Sequence, residues 1–182
     1  MDRSPYRPLS WSSSFNMKLL FIILLPTLAY AQPVTHTLKS GSAKYEVSYL
    51  TKTVDAESKD VKGKIVCDTE CEFLFAIPLK TFDSGDSNRD LNMQNTVDAA
   101  TYPVVSAKGK FDKSLWGQKD FSITALVNFH GIDVSYPVRL SENGRKASLT
   151  LNLEKHKIER PTLFTVKIDN EVPIEFKLEW AE

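Results

Sequence analysis

Hydrophobic and polar residues alternate with period two over most of the chain after residue 41. The clearest run is Phe121–Leu153, which reads FSITALVNF, then His130-Gly131, then IDVSYPVRL, then SENGRK, then ASLTLNL. Alternation broken by tight-turn signals predicts three consecutive antiparallel strands. If His130-Gly131 is a two-residue turn, Phe129 faces Ile132, Val127 faces Val134, Ala125 faces Tyr136 and Ile123 faces Val138. If Asn143-Gly144 is the next turn, Leu140 faces Ala147, Val138 faces Leu149 and Tyr136 faces Leu151. Every pair is apolar on apolar, and a slip of one residue would turn one strand's apolar side chains into water. A second hairpin passes the same test: Ile65 faces Phe73, Gly63 faces Phe75 and Val61 faces Ile77 across a Cys67–Cys71 turn.

The pattern predicts eight strands, near 42–50, 60–67, 71–79, 104–111, 121–129, 132–141, 146–153 and 171–180. Residues 32–41 read as a polar lead-in, and residues after 153 as irregular. Between the strands at 71–79 and 104–111, the cluster Asp83–Asn88 predicts a turn and helix cap. One short helix follows from Leu91 to about Val97, ended before Tyr102-Pro103. A single short helix cannot cover eight one-sided strands. Their apolar faces must bury each other, in a sandwich or a closed barrel, and eight strands close naturally.

A barrel would collect its inward side chains into one lumen. From the first strand these are Tyr45, Val47 and Tyr49; from the cysteine hairpin, Phe73 and Phe75; from the next strand, Ala107 and Phe111. The central meander adds Ile123, Ala125, Val127, Val134, Tyr136, Val138, Leu149 and Leu151, and the last strand adds Ile174 and Phe176. The set holds no carboxylate, lysine, arginine or histidine. Two readings stand here. The aromatics line a tunnel for an apolar ligand, with Gly63, Ala107, Gly109, Ala125 and Ala147 leaving space, or they plug the barrel.

Composition narrows the function classes. Met17-Lys18, a thirteen-residue apolar run from Leu19 and an Ala29-Tyr30-Ala31 box predict a signal peptide over 17–31. The run is too short for a stable membrane span. Residues 1–16 read as an N-terminal extension or an early start. Residues 32–182 read as a single secreted domain. Without Asp2, Arg3, Arg7 and Lys18 its formal charge is about −2, which offers no field for nucleic acid. Cys67 and Cys71, with the three-residue loop Asp68-Thr69-Glu70 between them in a secreted chain, suit a disulfide across a hairpin; two buried thiols are the alternative. His36, His130 and His156 are not at metal-ligand spacing and read as solvated. Asp83, Asp86 and Asp90 do not meet calcium-loop spacing and read as caps. Lys155, Lys157 and Arg160 read as a solvated loop or as contacts to a lipid head, and Leu163, Phe164 and Val166 as a lid over one end. The inward set supplies no nucleophile–base or carboxylate pair, so it does not read as an enzyme. A ligand-free structural or protein-binding barrel is the competing class, and the sequence leaves room for a homodimer.

The runs TFDSGDSNRDLNM, VDAATYPVVS and ALVNFHGIDVSYPV resemble the signature of the YceI-like proteins, over nearly all of Ser42–Glu179. The resemblance implies an extended eight-stranded, lipocalin-like antiparallel barrel in a periplasmic or secreted protein. It also implies a lumen that holds a polyisoprenoid chain, such as a quinone-type lipid, with no other cofactor. The chain departs from the family pattern in its first strand, where Lys44–Tyr49 lacks the usual Asp and His-Ser, and at Asn92-Met93, where a histidine is common.

Overall fold

The computed structural model describes residues 32–49, 52–163 and 166–181. The predicted signal peptide and N-terminal extension lie outside that range, as does Phe164 of the expected lid; the side chains of Tyr49 and of the other two lid residues, Leu163 and Val166, are also outside the description.

Among the described residues eleven strands occur in order: β1 Val34–Tyr49, β2 Lys52–Ser58, β3 Lys62–Cys67, β4 Glu70–Pro78, β5 Val104–Asp112, β6 Phe121–Phe129, β7 Ile132–Ser141, β8 Lys146–Asn152, β9 Thr162–Leu163, β10 Val166–Lys167 and β11 Glu171–Trp180. A helix, α1 Ser87–Thr96, joins β4 to β5. Each strand of the main sheet pairs antiparallel with its neighbours, and β11 returns to β1, so the sheet closes. β2 and β3 act as one interrupted strand. Ser58 lies opposite Ala43 and Cys67 opposite Val34, which is one continuous register with β1. At the interruption the Asp60 N–H donates to the Ser58 hydroxyl, 3.2 Å away, and Asp60 keeps only an isolated bridge to Gly41 of β1. Counting that pair as one strand, the ring is an eight-stranded antiparallel barrel.

Two regions differ from expectation. The lead-in at 32–41 supplies the first half of β1. Its inward positions carry His36 and Leu38, so it lacks an apolar row. Its partners are distant in sequence: Val34–Thr37 pair with β3, and Leu38 lies opposite Trp180. β2 was hidden for a similar reason, because only Val54 and Ala56 of Lys52–Ser58 are inward and apolar. The predicted strand at 60–67 accordingly begins later, at Lys62.

The meander keeps its expected register from Phe129–Ile132 to Ile123–Val138. His130 and Gly131 both have positive φ, 52° and 71°, as a two-residue turn of the primed type requires. The β7–β8 ladder is shorter than expected. Leu140 pairs with Ala147, but Val138–Leu149 and Tyr136–Leu151 fall outside the paired rows. Pro137 has no N–H to give to a ladder. The Tyr136 hydroxyl spans the gap, accepting the Asn152 N–H at 3.2 Å and donating to the Asn152 carbonyl at 3.3 Å.

The helix starts earlier than predicted. Asp86 is the N-cap, and its carboxylate accepts the N–H groups of Asn88 and Arg89. Leu91 faces away from the barrel and is 56% exposed; Met93 and Val97 are the residues that pack against the core. No described helix is long and apolar enough to cross a membrane.

Candidate functional site: an apolar lumen with a polar rim

The barrel encloses a cavity of about 1100 Å³. Of the residues placed in a lumen from sequence, Tyr45, Val47, Phe73, Phe75, Ala107, Phe111, Ile123, Ala125, Val127, Val138, Leu149, Leu151, Ile174 and Phe176 border it. Val134 and Tyr136 do not. Tyr136 is buried and stacked on His156 at 5.8 Å, its hydroxyl engaged with Asn152.

Two glycines explain how so many aromatic rings leave open space. A Cβ at Gly63 would fall 2.2 Å from Phe75 Cδ1, and one at Gly109 would fall 2.7 Å from Phe73 Cζ. Both rings therefore lie flat over bare backbone, against the wall and not across the lumen. Pairings Gly63–Phe75 and Phe73–Gly109 put each ring beside its glycine on the neighbouring strand.

One end is sealed. At the disulfide end, β5 and β6 are joined by a loop that folds Trp116 under the barrel. Its ring lies 5.1 Å from His36, 6.3 Å from Phe111 and 5.1 Å from Trp180, and Phe111 meets Phe121 at 6.0 Å. Hydrogen bonds hold this floor. Lys113 Nζ donates to the Asp68 carbonyl at 2.9 Å, Asn143 Nδ2 to the Gly117 carbonyl at 2.9 Å, and Trp180 Nε1 to the Gly144 carbonyl at 3.1 Å. Cys67 and Cys71 face each other across the β3–β4 turn and form a disulfide, with Cα atoms 4.0 Å apart.

The other end is polar. Apart from Ser106, the charged and polar residues bordering the cavity gather there: Lys52 and Thr53 from β2, and Asp86, Asn88, Arg89, Asn92, Asn95 and Thr96 around α1. Just below them Tyr45 packs on Phe82 at 5.2 Å. Burial, then the negative charge of Asp90, pushes its phenol up to about 12, so it is a neutral donor at ordinary pH. The Asp86 carboxyl is held below its usual range, first by the Arg89 N–H and then by the Asn88 N–H. Its second oxygen pairs with the Arg89 guanidinium at 3.6 Å.

The histidines depart from the solvated reading. His36 belongs to the floor. His156 is wholly buried, and its Nδ1 donates to the carbonyls of Phe129 and Ile132, each at 3.1 Å. Its Nε2 has no partner among the described residues, and burial lowers its pKa against the pull of those two carbonyls. His130 Nδ1 donates to the His156 carbonyl at 3.0 Å, and its ring meets Tyr102 at 4.7 Å. These groups fasten the β6–β7 turn to the segment after β8. Alternation could not locate His156, because it lies in an irregular segment. Lys155, Lys157 and Arg160 do not border the cavity. Lys155 lies over the Tyr136 ring, and Arg160 binds the Ile168 carbonyl at 3.0 Å and Glu154 at 2.9 Å. Among the described residues no cluster of His, Cys, Asp and Glu is arranged to hold a metal ion.

Sequence reasoning missed Val54, Phe82, Ile158 and Ile168 in the wall, and the asparagines of the rim. Val54 carried a weak signal through its alternation with Ala56. The rim carried none, because an exposed helical asparagine looks the same whether it faces bulk water or a cavity mouth.

Three solved structures share the architecture. A polyisoprenoid binding domain from Saccharophagus degradans, implicated in plant cell wall breakdown, superposes with a TM-score of 0.57 at 16% identity, covering 80% of this chain and 97% of that one. BcnA of Burkholderia cenocepacia gives 0.60 at 17% identity, covering 78% and 96%. A YceI protein of Campylobacter jejuni gives 0.52 at 15% identity, covering 74% and 87%. No curated protein matches the sequence. At these identities the likeness bears on the fold. The sequence itself matches the YceI-like domain over residues 35–180, a span that takes in the barrel from the start of β1 to the end of β11, and the chain is a member of the YceI-like family.

Proposed function

We propose that this chain binds one extended polyisoprenoid-type lipid in its lumen, as a carrier or scavenger outside the cytoplasm. The observation that carries the reading is the cavity of about 1100 Å³ whose wall below the rim is almost wholly apolar. Each methylene moved from water into such a wall contributes ~0.8 kcal/mol, so a long chain needs few polar contacts to bind. The disulfide favours an oxidising compartment, periplasmic or secreted. The titratable groups bordering the cavity, Tyr45, Lys52, Asp86 and Arg89, sit at or near its rim, which suits binding better than chemistry.

The test is native mass spectrometry with lipid extraction on protein purified from its own host. A co-purifying prenyl chain supports the reading. Ligand-free protein with no measurable affinity for prenyl quinones sinks it. Ala125→Trp sharpens the result, because Ala125 borders the lumen opposite Tyr136. The variant is expected to fold and to lose uptake of the chain. A filled core would instead be destabilised by overpacking.

A further inference from the structure

Toward the helix end the barrel wall has a seam. The β7–β8 ladder runs only over Arg139–Ser148, Leu140–Ala147 and Ser141–Lys146, so Ile132–Val138 have no ladder partner on β8. The Tyr136 hydroxyl crosses this gap to the Asn152 backbone. The segment Leu153–Pro161 leaves β8 beside it and turns back against β7. Leu153, Ile158 and Pro161 border the cavity, so this segment is part of the lumen's enclosure.

His156 fastens the segment to the β6–β7 turn. The ring is wholly buried against Phe129 and Tyr136. Its Nδ1–H is shared by the carbonyls of Phe129 and Ile132, the two residues that flank the turn. Its own carbonyl accepts the His130 Nδ1. With the proton on Nδ1, Nε2 carries only a lone pair, and it has no partner among the described residues. The arrangement suits a neutral ring alone. A second proton would put a charged N–H at Nε2, buried and without an acceptor, where it bears its full desolvation cost. Freeing the segment returns that group to water. It also relaxes Lys157, the next residue, which is held left-handed at φ 55°.

The charges facing the ring come from two sides. On β7 Asp133 favours the cation, and on the turn His130 opposes it; Asp133 already accepts the Asn128 amide at 2.6 Å. On the segment itself Lys155 lies over the Tyr136 ring, and Glu154 pairs with Arg160.

We propose that the β7–β8 seam is a side gate of the lumen, latched by neutral His156 and released when that ring takes up a proton. The gate rests on the lumen reading above and adds to it a pH-controlled exit for the bound chain.

The test times the release of bound geranylgeraniol from the full chain into excess phosphatidylcholine vesicles, at about pH 7.5 and about pH 4.5, above and well below the ordinary histidine value. The rate is expected to rise about tenfold in acid, the factor that one unsatisfied buried donor supplies. His156→Gln takes no proton in this range and is expected to release at one rate at both pH values. His130→Asn suits the turn and is expected to keep the acceleration, which separates His156 from the other imidazole of this corner. Amide exchange on the unsubstituted protein reads the gate without a variant. Corrected for intrinsic pH dependence, peptides over 153–161 should lose protection in acid while those over β3 and β4 keep theirs. Equal release rates at both pH values, acceleration that survives in His156→Gln, or protection lost throughout the chain overturns the gate and leaves the lumen reading standing. If geranylgeraniol does not bind at the higher pH, the lumen reading fails and the gate with it.

Discussion

The two ends of the barrel are built on the same strands and treat the lumen in opposite ways. At the disulfide end the connections are short or folded back. The Cys67–Cys71 turn, the Asn143-Gly144 turn and the Trp116 loop bring five aromatic rings together: Phe111, Trp116, Phe121, Trp180 and His36. At the helix end the long link from β4 to β5 lays α1 beside the opening, and the helix gives the cavity asparagines, Arg89 and Met93. The strands supply a uniform apolar wall because alternation leaves them no other inward face. Access and selectivity therefore fall to the connections, where side chains need not obey period two.

Four measurements would break or sharpen this contrast. The largest expected effect is at the floor. Trp116→Ala should cost about 3 kcal/mol in urea unfolding, in the range for losing a large packed aromatic, whereas Leu91→Ala on the outer face of α1 should stay within about 0.5 kcal/mol. Equal losses would mean the ends are not mechanically different. Next, Cys67→Ala with Cys71→Ala should cost about 2 kcal/mol from the freed unfolded chain. Prenyl affinity should be unchanged, because neither cysteine borders the cavity.

Gly63→Ala acts on the wall itself. The new Cβ would meet Phe75 from Cγ to Cε1, at 2.2 to 2.8 Å, and the ring must turn away from the strand toward the lumen and off its edge contact with Trp180, so affinity for a prenyl chain should fall about tenfold alongside a stability loss of about 1 kcal/mol. Gly109→Ala should do the reverse, since its Cβ also meets the Thr124 carbonyl at 2.7 Å and the backbone cannot step aside; there the loss should appear mainly as stability.

The smallest effect is at the helix end, through His156. Its folded-state pKa lies below the unfolded value, so the unfolded chain takes up the proton first as pH falls. The contribution is complete above about pH 6.5, the unfolded value, and is lost as pH drops toward the folded pKa. Unfolding midpoints across that window should fall with acid in the wild type and flatten in His156→Gln. A parallel slope in both proteins would assign the acid sensitivity elsewhere.

Much of the wall was legible from residues alone, because an antiparallel strand with one buried face must alternate. The rows from Phe129–Ile132 to Ile123–Val138, and Ile65–Phe73 with Gly63–Phe75, follow from that rule and two turns. Pro137 marked where the rule would fail, although alternation alone could not weigh it: the β7–β8 ladder stops short of the apolar rows beyond it. The first half of β1 and all of β2 stayed hidden, since His36, Leu38, Val54 and Ala56 make too thin an apolar row to announce strands.

The sequence by itself determined which face of each strong strand is buried, where the hairpins turn, and that the lumen is apolar, all consequences of local periodicity. Only the tertiary structure decided that the barrel closes through β11 on β1 and that the cavity is open. The openness depends on Phe73 and Phe75 lying over glycines of neighbouring strands. The partition into a sealed floor and a polar rim was decided there too. Those features depend on contacts between residues far apart in the chain, such as Trp116 with His36 and Trp180, and no pattern of neighbours along the chain encodes such contacts.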